Sequence, residues 1–130
     1  MQRLMGEQKR TLRAMSLRRR ESLGAAECRL WSHRIQQRVL RFFPYLWSRS
    51  VALYCPIGKE VATEQIRNHA LRSGKRVFYP KLADGGRPVL ARVESARELR
   101  PGRYGILEPT GTRLITAEDQ ERCVVFIPGL

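Results

Sequence analysis

The chain has 130 residues, 25 of them Lys or Arg against 12 Asp or Glu, for a formal net charge of +13. That length suits one domain with a sizeable core, and a hydrophobic fraction of 42% excludes wholesale disorder. A balance this basic favours anionic partners such as nucleic acid, nucleotide phosphates or a polyanionic small molecule, the alternative being a merely arginine-rich surface. No apolar run is long enough to span a membrane. The N-terminal segment MQRLMGEQKRTLRAMSLRRR has no apolar stretch of the kind a secretory signal needs. Cys28, Cys55 and Cys123 form no CxxC or Cys/His spacing, so they fit a reducing cytosol better than a disulfide framework or a zinc site.

In chain order, residues 3 to 21 read as a helix with Leu4, Leu12, Ala14 and Met15 between basic residues. Gly24 interrupts it. A second helix is expected from Ala25 to about Phe43, with Leu30, Trp31, Ile35, Val39 and Leu40 or Phe42 toward a core, and Pro44 ending it. Cys28 in this helix and Cys123 in the last strand read as core residues. Val51-Ala52-Leu53-Tyr54 is a continuously apolar run, as expected for a strand covered on both faces. Pro56 and Gly58 break it, Thr63 is placed to cap a helix carrying Ile66, Ala70 and Leu71, and Gly74 stops that helix. Arg76-Val77-Phe78-Tyr79 is the next strand. Strand, helix and strand of this length make a βαβ unit, so the two strands are expected to be parallel. Ligands of open parallel sheets bind beyond the carboxyl ends of the strands, which draws attention to Cys55–Glu60 and to Lys81.

A turn at Asp84-Gly85-Gly86 leads to a third strand over 88–93. Residues 95 to 113 hold Pro101, Gly102, Gly105, Pro109 and Gly111 and read as a long ordered loop. Cys123–Ile127 is the last and most apolar strand. Pro128-Gly129-Leu130 starts a turn where an α/β domain needs a further loop and covering helix, so the chain is expected to be incomplete at its C-terminus.

The candidate chemistry is that of binding. Lys9 and Arg13 lie four apart on one helix face and can clasp phosphates, or simply be solvated. Glu60, on the loop after the first strand, can hold a ligand amine or ring N–H, or be an exposed turn residue. Tyr104 can stack on a flat ligand or pack over the sheet edge. The sequence offers no Ser/His/Asp set, no paired acid/base carboxylates, no metal-ligand cluster and no Walker or GxGxxG loop.

Four stretches, taken in order, resemble the 5-formyltetrahydrofolate cyclo-ligase (5,10-methenyltetrahydrofolate synthetase) family. Lys9-Arg10-Thr11-Leu12-Arg13 is similar to its N-terminal K-x-x-L-R segment. Leu23-Gly24-Ala25-Ala26-Glu27 with Ser32 and Ile35 resembles L-S-x-x-E…S-x-x-I, Gly24 replacing the usual serine. Tyr54-Cys55-Pro56, Glu60, Thr63, Gly74-Lys75 and Pro80-Lys81 follow Y-x-P…E…T…G-K…P-[KR]. Tyr104-Gly105-Ile106-Leu107-Glu108-Pro109 and Val125-Phe126-Ile127-Pro128-Gly129-Leu130 resemble its aromatic-G-I-x-E-P and v-P-G-l segments.

The resemblance implies one α/β domain over residues 1–130, three-layered αβα with a mainly parallel sheet, preceded by two N-terminal helices and incomplete at its C-terminus. It implies ATP-dependent closure of 5-formyltetrahydrofolate, which can be polyglutamylated, to 5,10-methenyltetrahydrofolate, with ADP and phosphate released and Mg2+ required. No protein nucleophile is then needed, because the substrate's formyl oxygen is the attacking group and the protein positions groups and neutralises charge. Lys9 and Arg13 would contact the ATP phosphates, Cys55 and Glu60 would line the folate pocket, and Tyr104 would stack near the pterin. The family's glycine-rich phosphate loop and magnesium carboxylates would follow Leu130, so these 130 residues alone are expected to be inactive. A monomer in the cytoplasm, with no membrane or nucleic-acid partner, completes the expectation. The rival reading is a basic nucleic-acid-binding module, opposed by basic residues scattered over every element and by Phe42, Phe43 and Phe78 at expected core positions.

Overall fold

The computed structural model describes residues 2–129; Leu130, which closes the last resembling segment, lies outside them. Helix α1 runs Gln2–Glu21 and α2 Ala25–Val39. A short α3, Phe43–Trp47, follows with Pro44 in its first turn. Pro44 therefore begins a helix instead of ending α2: its fixed φ suits a first turn, where a backbone N–H has no partner anyway.

Strand β1 (Ser50–Ala52) is flanked by β2 (Arg76–Leu82) and β6 (Cys123–Val125), both parallel to it, and β3 (Pro88–Val93) pairs antiparallel with β2. The order β3-β2-β1-β6 puts the most completely buried strand inside the sheet. The expected βαβ unit is present, with α4 (Glu64–Arg72) as its crossover. The architecture is thus α/β, a mainly parallel mixed sheet with N-terminal helices. Alternation along β1 and β2 sends Val51, Leu53, Val77 and Tyr79 into one cluster with Tyr45, Ile66, Ala70, Val93 and Leu99. Each such side chain contributes roughly 1.5–3 kcal/mol by leaving water. Tyr45 closes the cluster: its hydroxyl meets His69 Nδ1 at 2.7 Å, and burial pushes its pKa up to about 12.

Residues 95 to 113 are more regular than a loop. A 3-10 turn, Ala96–Glu98, is closed by a reciprocal Ser95–Glu98 cap. Strands β4 (Leu99–Pro101) and β5 (Leu107–Pro109) then form a two-stranded antiparallel sheet. Its glycines and prolines sit at the hairpin tip and strand ends, where such residues are compatible with pairing. A short helix α5 (Ala117–Gln120) precedes β6.

The apolar face expected for α2 holds only at its C-terminal end, where Val39 and Leu40 pack against the core cluster. Leu30, Trp31 and Ile35 are exposed, while Ser32 and Gln36 are buried. The buried face of α2 is polar because it serves the next helix. Gln36 Oε1 accepts from the backbone N–H groups of Gln65 (2.8 Å) and Ile66 (3.4 Å), and Ser32 Oγ accepts from that of Ala62 (3.1 Å). Thr63 does precede α4, yet its side chain makes no cap; its hydroxyl donates instead to the Tyr54 carbonyl at 2.9 Å. Gln36 therefore caps α4 from a neighbouring helix. The far end of α4 is as expected. Gly74 at φ +73° lets its own N–H reach the Leu71 carbonyl and that of Lys75 reach Ala70. Phe42 and Phe43 are exposed, unlike the fully buried Phe78, and Cys28 and Cys123 are only half-buried.

Replacing Gln36 by Leu removes an acceptor from two buried N–H groups, and urea unfolding should read a loss of roughly 1–3 kcal/mol. A loss under about 0.5 kcal/mol, the ordinary scale of a neutral surface change, would mean that α4 does not depend on this cap. A second test uses Asp119, which bonds the Thr116 backbone with one oxygen and Arg76, at the head of β2, with the other. Burial raises its carboxyl pKa, but the Thr116 bonds and the Arg76 guanidinium outweigh that and hold it below the usual carboxylate range. A depressed folded-state pKa stabilises above the unfolded value and is lost as pH falls through the folded one. The stability gap between the wild type and Asp119→Asn should therefore be open at neutral pH and close below about pH 4. A gap that is constant with pH would contradict the assignment.

Candidate functional site

The loop leaving β1, residues 53–63, is pinned at both ends. The Tyr54 hydroxyl donates to the Val61 carbonyl at 2.9 Å, while Thr63 returns to the Tyr54 carbonyl. Inside it, Glu60 Oε2 accepts from the Ile57 N–H at 2.9 Å. Lys59 donates to the carbonyl oxygens of Glu21 and, at 2.7 Å, Leu23, so it caps the C-terminus of α1 with a cation. One short loop thus joins the first helix, the central strand and α4.

Two clefts flank this loop. The first, about 450 Å³, lies past the carboxyl ends of β1 and β2 and is lined by Cys55, Ile57, Thr63, Arg67, Tyr79 and Tyr104, among others. The second, about 480 Å³, lies between the loop and α2 and is lined by Cys28, Ser32, Gln36, Lys59 and Glu60, among others. Cys55 and Tyr104 are therefore brought together across 49 residues of sequence. Glu60 lines the neighbouring cleft, with Gly58 and Glu64 shared by both. Volumes of this size suit a small organic ligand.

Tyr104 is held in an unusual way. Its backbone has φ +62° and ψ +17°, a left-handed conformation costing roughly 1–2 kcal/mol in a residue with a Cβ, and its side chain is 88% exposed. The β4–β5 hairpin imposes this. The Gly102 N–H donates to the Ile106 carbonyl at 2.8 Å, Gly105 follows at φ +70°, and the carboxyl of Glu108 fills the space where a Cβ on residue 102 would sit. The ring is presented to solvent over the cleft, where it is free to stack.

Arg67 and Tyr79 belong to the cleft but escaped sequence reading. Tyr79 is an aromatic in a buried strand, and Arg67 is one more arginine in a basic chain. What locates them is the parallel pairing of β1 with β2, which brings the end of β2 beside the Cys55 loop. Burial pushes the Tyr79 hydroxyl up to about 12, and the Arg67 charge pulls in the opposite direction. Burial likewise raises the Cys55 thiol against the same arginine, which favours its protonated form. Lys81 is not part of the cleft; its ammonium donates to the Gly111 carbonyl at 3.0 Å and anchors the following loop.

Lys9 and Arg13 lie on the exposed length of α1, in a shallow groove with Met5, Gln8 and Leu12. Neither belongs to an ion pair among the described residues, so both cations are available to an outside anion. This pair is remote in sequence from the Cys55–Tyr104 cleft and shares no lining residue with it. Among the described residues no group of three or more His, Cys, Asp or Glu side chains could hold a metal ion, so they form no all-protein metal cage. No helix of the described residues is long and apolar enough to cross a membrane.

The 5-formyltetrahydrofolate cyclo-ligase family model matches residues 5–130. The solved structure of 5,10-methenyltetrahydrofolate synthetase from Aquifex aeolicus superimposes with a TM-score of 0.73 at 32% identity over 85% of this chain. The 5,10-methenyltetrahydrofolate synthetase from Mycoplasma pneumoniae does so with a TM-score of 0.55 at 26% identity over 67%. This chain spans 56% and 54% of the lengths of those two proteins. Comparison with curated proteins gives no match.

Because the Tyr104 ring is exposed and its backbone strained, Tyr104→Gly should leave thermal stability within about 1 kcal/mol of the wild type. The relief of φ strain offsets the entropy of a glycine. A fall in Tm beyond about 8 °C would show instead that the ring packs on the cleft in the free protein.

Proposed function

The chain belongs to the 5-formyltetrahydrofolate cyclo-ligase family, and we propose that it forms the folate-binding part of an ATP-dependent enzyme closing 5-formyltetrahydrofolate to 5,10-methenyltetrahydrofolate. The observation that carries this reading is the convergence of Cys55 and Tyr104 on one cleft of about 450 Å³ beyond the central strands. In this reading the pterin stacks on the Tyr104 ring and the half-buried Cys55 packs against its edge. Glu60 accepts from ring N–H groups at the loop that separates the two clefts. Its bond to Ile57 uses one carboxylate oxygen, and a carboxylate has further lone pairs to offer.

Lys9 and Arg13 bind the ATP phosphates, a point charge and a planar fork one helical turn apart. The formyl oxygen takes the γ-phosphoryl group, N10 then closes on the activated carbon, and phosphate and ADP depart. No described residue is asked to be a nucleophile; the chain's part is to bind and orient, which alone can supply a large share of a barrier reduction. None of these residues is assigned to magnesium. Since the chain spans little more than half of the matched synthetases, we assign turnover to a longer form and binding to these 130 residues. We place that protein in the cytoplasm, as a monomer, without a nucleic-acid or membrane partner.

Calorimetry on the 130-residue chain tests the reading. It should bind 5-formyltetrahydrofolate and ATP, and Lys9→Ala/Arg13→Ala should weaken ATP on the order of tenfold while leaving the folate unchanged. Mg-ATP and 5-formyltetrahydrofolate together should give no methenyl absorbance. Efficient turnover would overturn the division of labour, and tight, salt-sensitive RNA binding without folate binding would overturn the reading itself.

A further inference from the structure

Arg67 is a cation in a place that does not suit one. It is the fourth residue of α4, close to the helix end whose partial charge is positive, and it is half-buried among Pro56, Ile57, Leu99, Ile106 and Leu107 of the folate cleft. Glu64, one turn earlier on the same helix, also lines the cleft, yet the two do not pair. The ion pairs of the described residues engage Lys59, Arg76, Arg92 and Arg113, and Arg67 belongs to none. Its Nε donates to the neighbouring Asn68 side chain at 3.2 Å, and its guanidinium also lies in hydrogen-bonding range of the Tyr79 hydroxyl, so its polar partners are neutral. The groups facing it across the cleft are the Cys55 thiol and the Tyr79 hydroxyl, both neutral. A partly desolvated guanidinium without a counter-charge is a cost in the free protein that an anionic ligand removes.

The chemistry of the ligand identifies that anion. The pterin ring and the formyl group of 5-formyltetrahydrofolate carry no charge, so its anionic groups are the glutamyl carboxylates. The phosphates of ATP have their own cations on α1. Resting on the folate reading of this cleft, we propose that Arg67 takes a carboxylate of the substrate's glutamyl tail and thereby sets a preference for a charged glutamyl tail over a neutral one. The planar fork matches a carboxylate with two parallel hydrogen bonds, which a lysine at this position cannot reproduce. With the ring on Tyr104 and the tail on Arg67, the folate would lie along the cleft, with Cys55 beneath it.

Titration of the wild type, Arg67→Gln and Arg67→Lys with 5-formyltetrahydrofolate and with its glutamyl diamide, which keeps the tail but carries no carboxylate, tests this. The wild type should bind the carboxylate form about 10- to 100-fold more tightly, the scale of a lost charged hydrogen-bonding partner. Arg67→Gln should bind both alike, at the wild-type affinity for the diamide, and Arg67→Lys should keep part of the preference. A merely structural arginine would weaken both ligands equally, so an unchanged ratio in Arg67→Gln overturns the assignment while leaving the folate cleft standing. Should Arg67→Gln fail to fold, full retention of the ratio by Arg67→Lys overturns it too. Binding of neither compound by the wild type would overturn both this inference and the reading on which it rests.

Discussion

The site depends on a helix cap supplied by another helix. The first N–H groups of α4 meet the Gln36 amide oxygen because Thr63, the residue placed to cap them, is turned toward Tyr54. That exchange settles several things together. It fixes α4 against α2, frees the Thr63 hydroxyl to pin the loop to the exit of β1, and holds the Cys55–Glu60 segment between two anchored ends. The cost is a buried amide nitrogen on Gln36 with no partner among the described residues. It also explains why α2 buries polar residues and exposes Leu30, Trp31 and Ile35: the helix is oriented by its hydrogen bonds to α4 and the loop, not by its apolar side.

Cations at helix ends are the second recurring device. Lys59 closes the C-terminus of α1, while Lys75 donates to the Leu46 carbonyl at 3.1 Å and to that of Ser48 at the end of α3. Arg122 bonds the Trp47 carbonyl and stacks on its ring at 3.9 Å. Burial and the nearby Arg122 lower the pKa of Lys75, the mark of a cation committed to structure. Part of the net charge of +13 is therefore internal carpentry and says less about partners than the composition suggests. Lys9, Arg13 and Arg67 differ in kind, since among the described residues none of the three is bound to a helix end or to a carboxylate.

The βαβ unit was legible in the sequence because its signals are local. Val51–Tyr54, Ile66/Ala70 and Gly74 each state a periodicity or a stop within a few residues; the helix face and its stop hold, and the strand is present, though it runs Ser50–Ala52. The α2 face was not legible, because hydrophobic period assumes that a helix buries its apolar side, and tertiary hydrogen bonds overrode that assumption. The β4–β5 hairpin was missed for a related reason: three-residue strands that each end in proline and are joined by a tip holding two glycines carry almost no alternation, and the hairpin is placed by contact with β2 and the Ser95–Glu98 cap. For the candidate cleft, the Cys55 loop was marked by its place after a parallel strand and Tyr104 by its aromatic ring, and the order of several weak motifs joined them, whereas Arg67 has no sequence signal at all. What singles it out is the absence of a counter-charge among the described residues, which only the folded arrangement can show.

The exposure of Tyr104 and the isolation of Arg67 are two forms of the same incompleteness. One is an aromatic ring held in solvent by a backbone turn that glycine would adopt more cheaply; the other is a guanidinium kept partly from water without an anion. A sequence selected for stability alone would be expected to remove both, since a glycine at 104 and a neutral residue at 67 cost the fold little. Strain and unpaired charge persist where a bound partner compensates them. Both line the same cleft, and on the proposed reading they take complementary parts of one ligand, a flat ring and a carboxylate. A folate has both, joined by a spacer, which is the reason for reading the two features together.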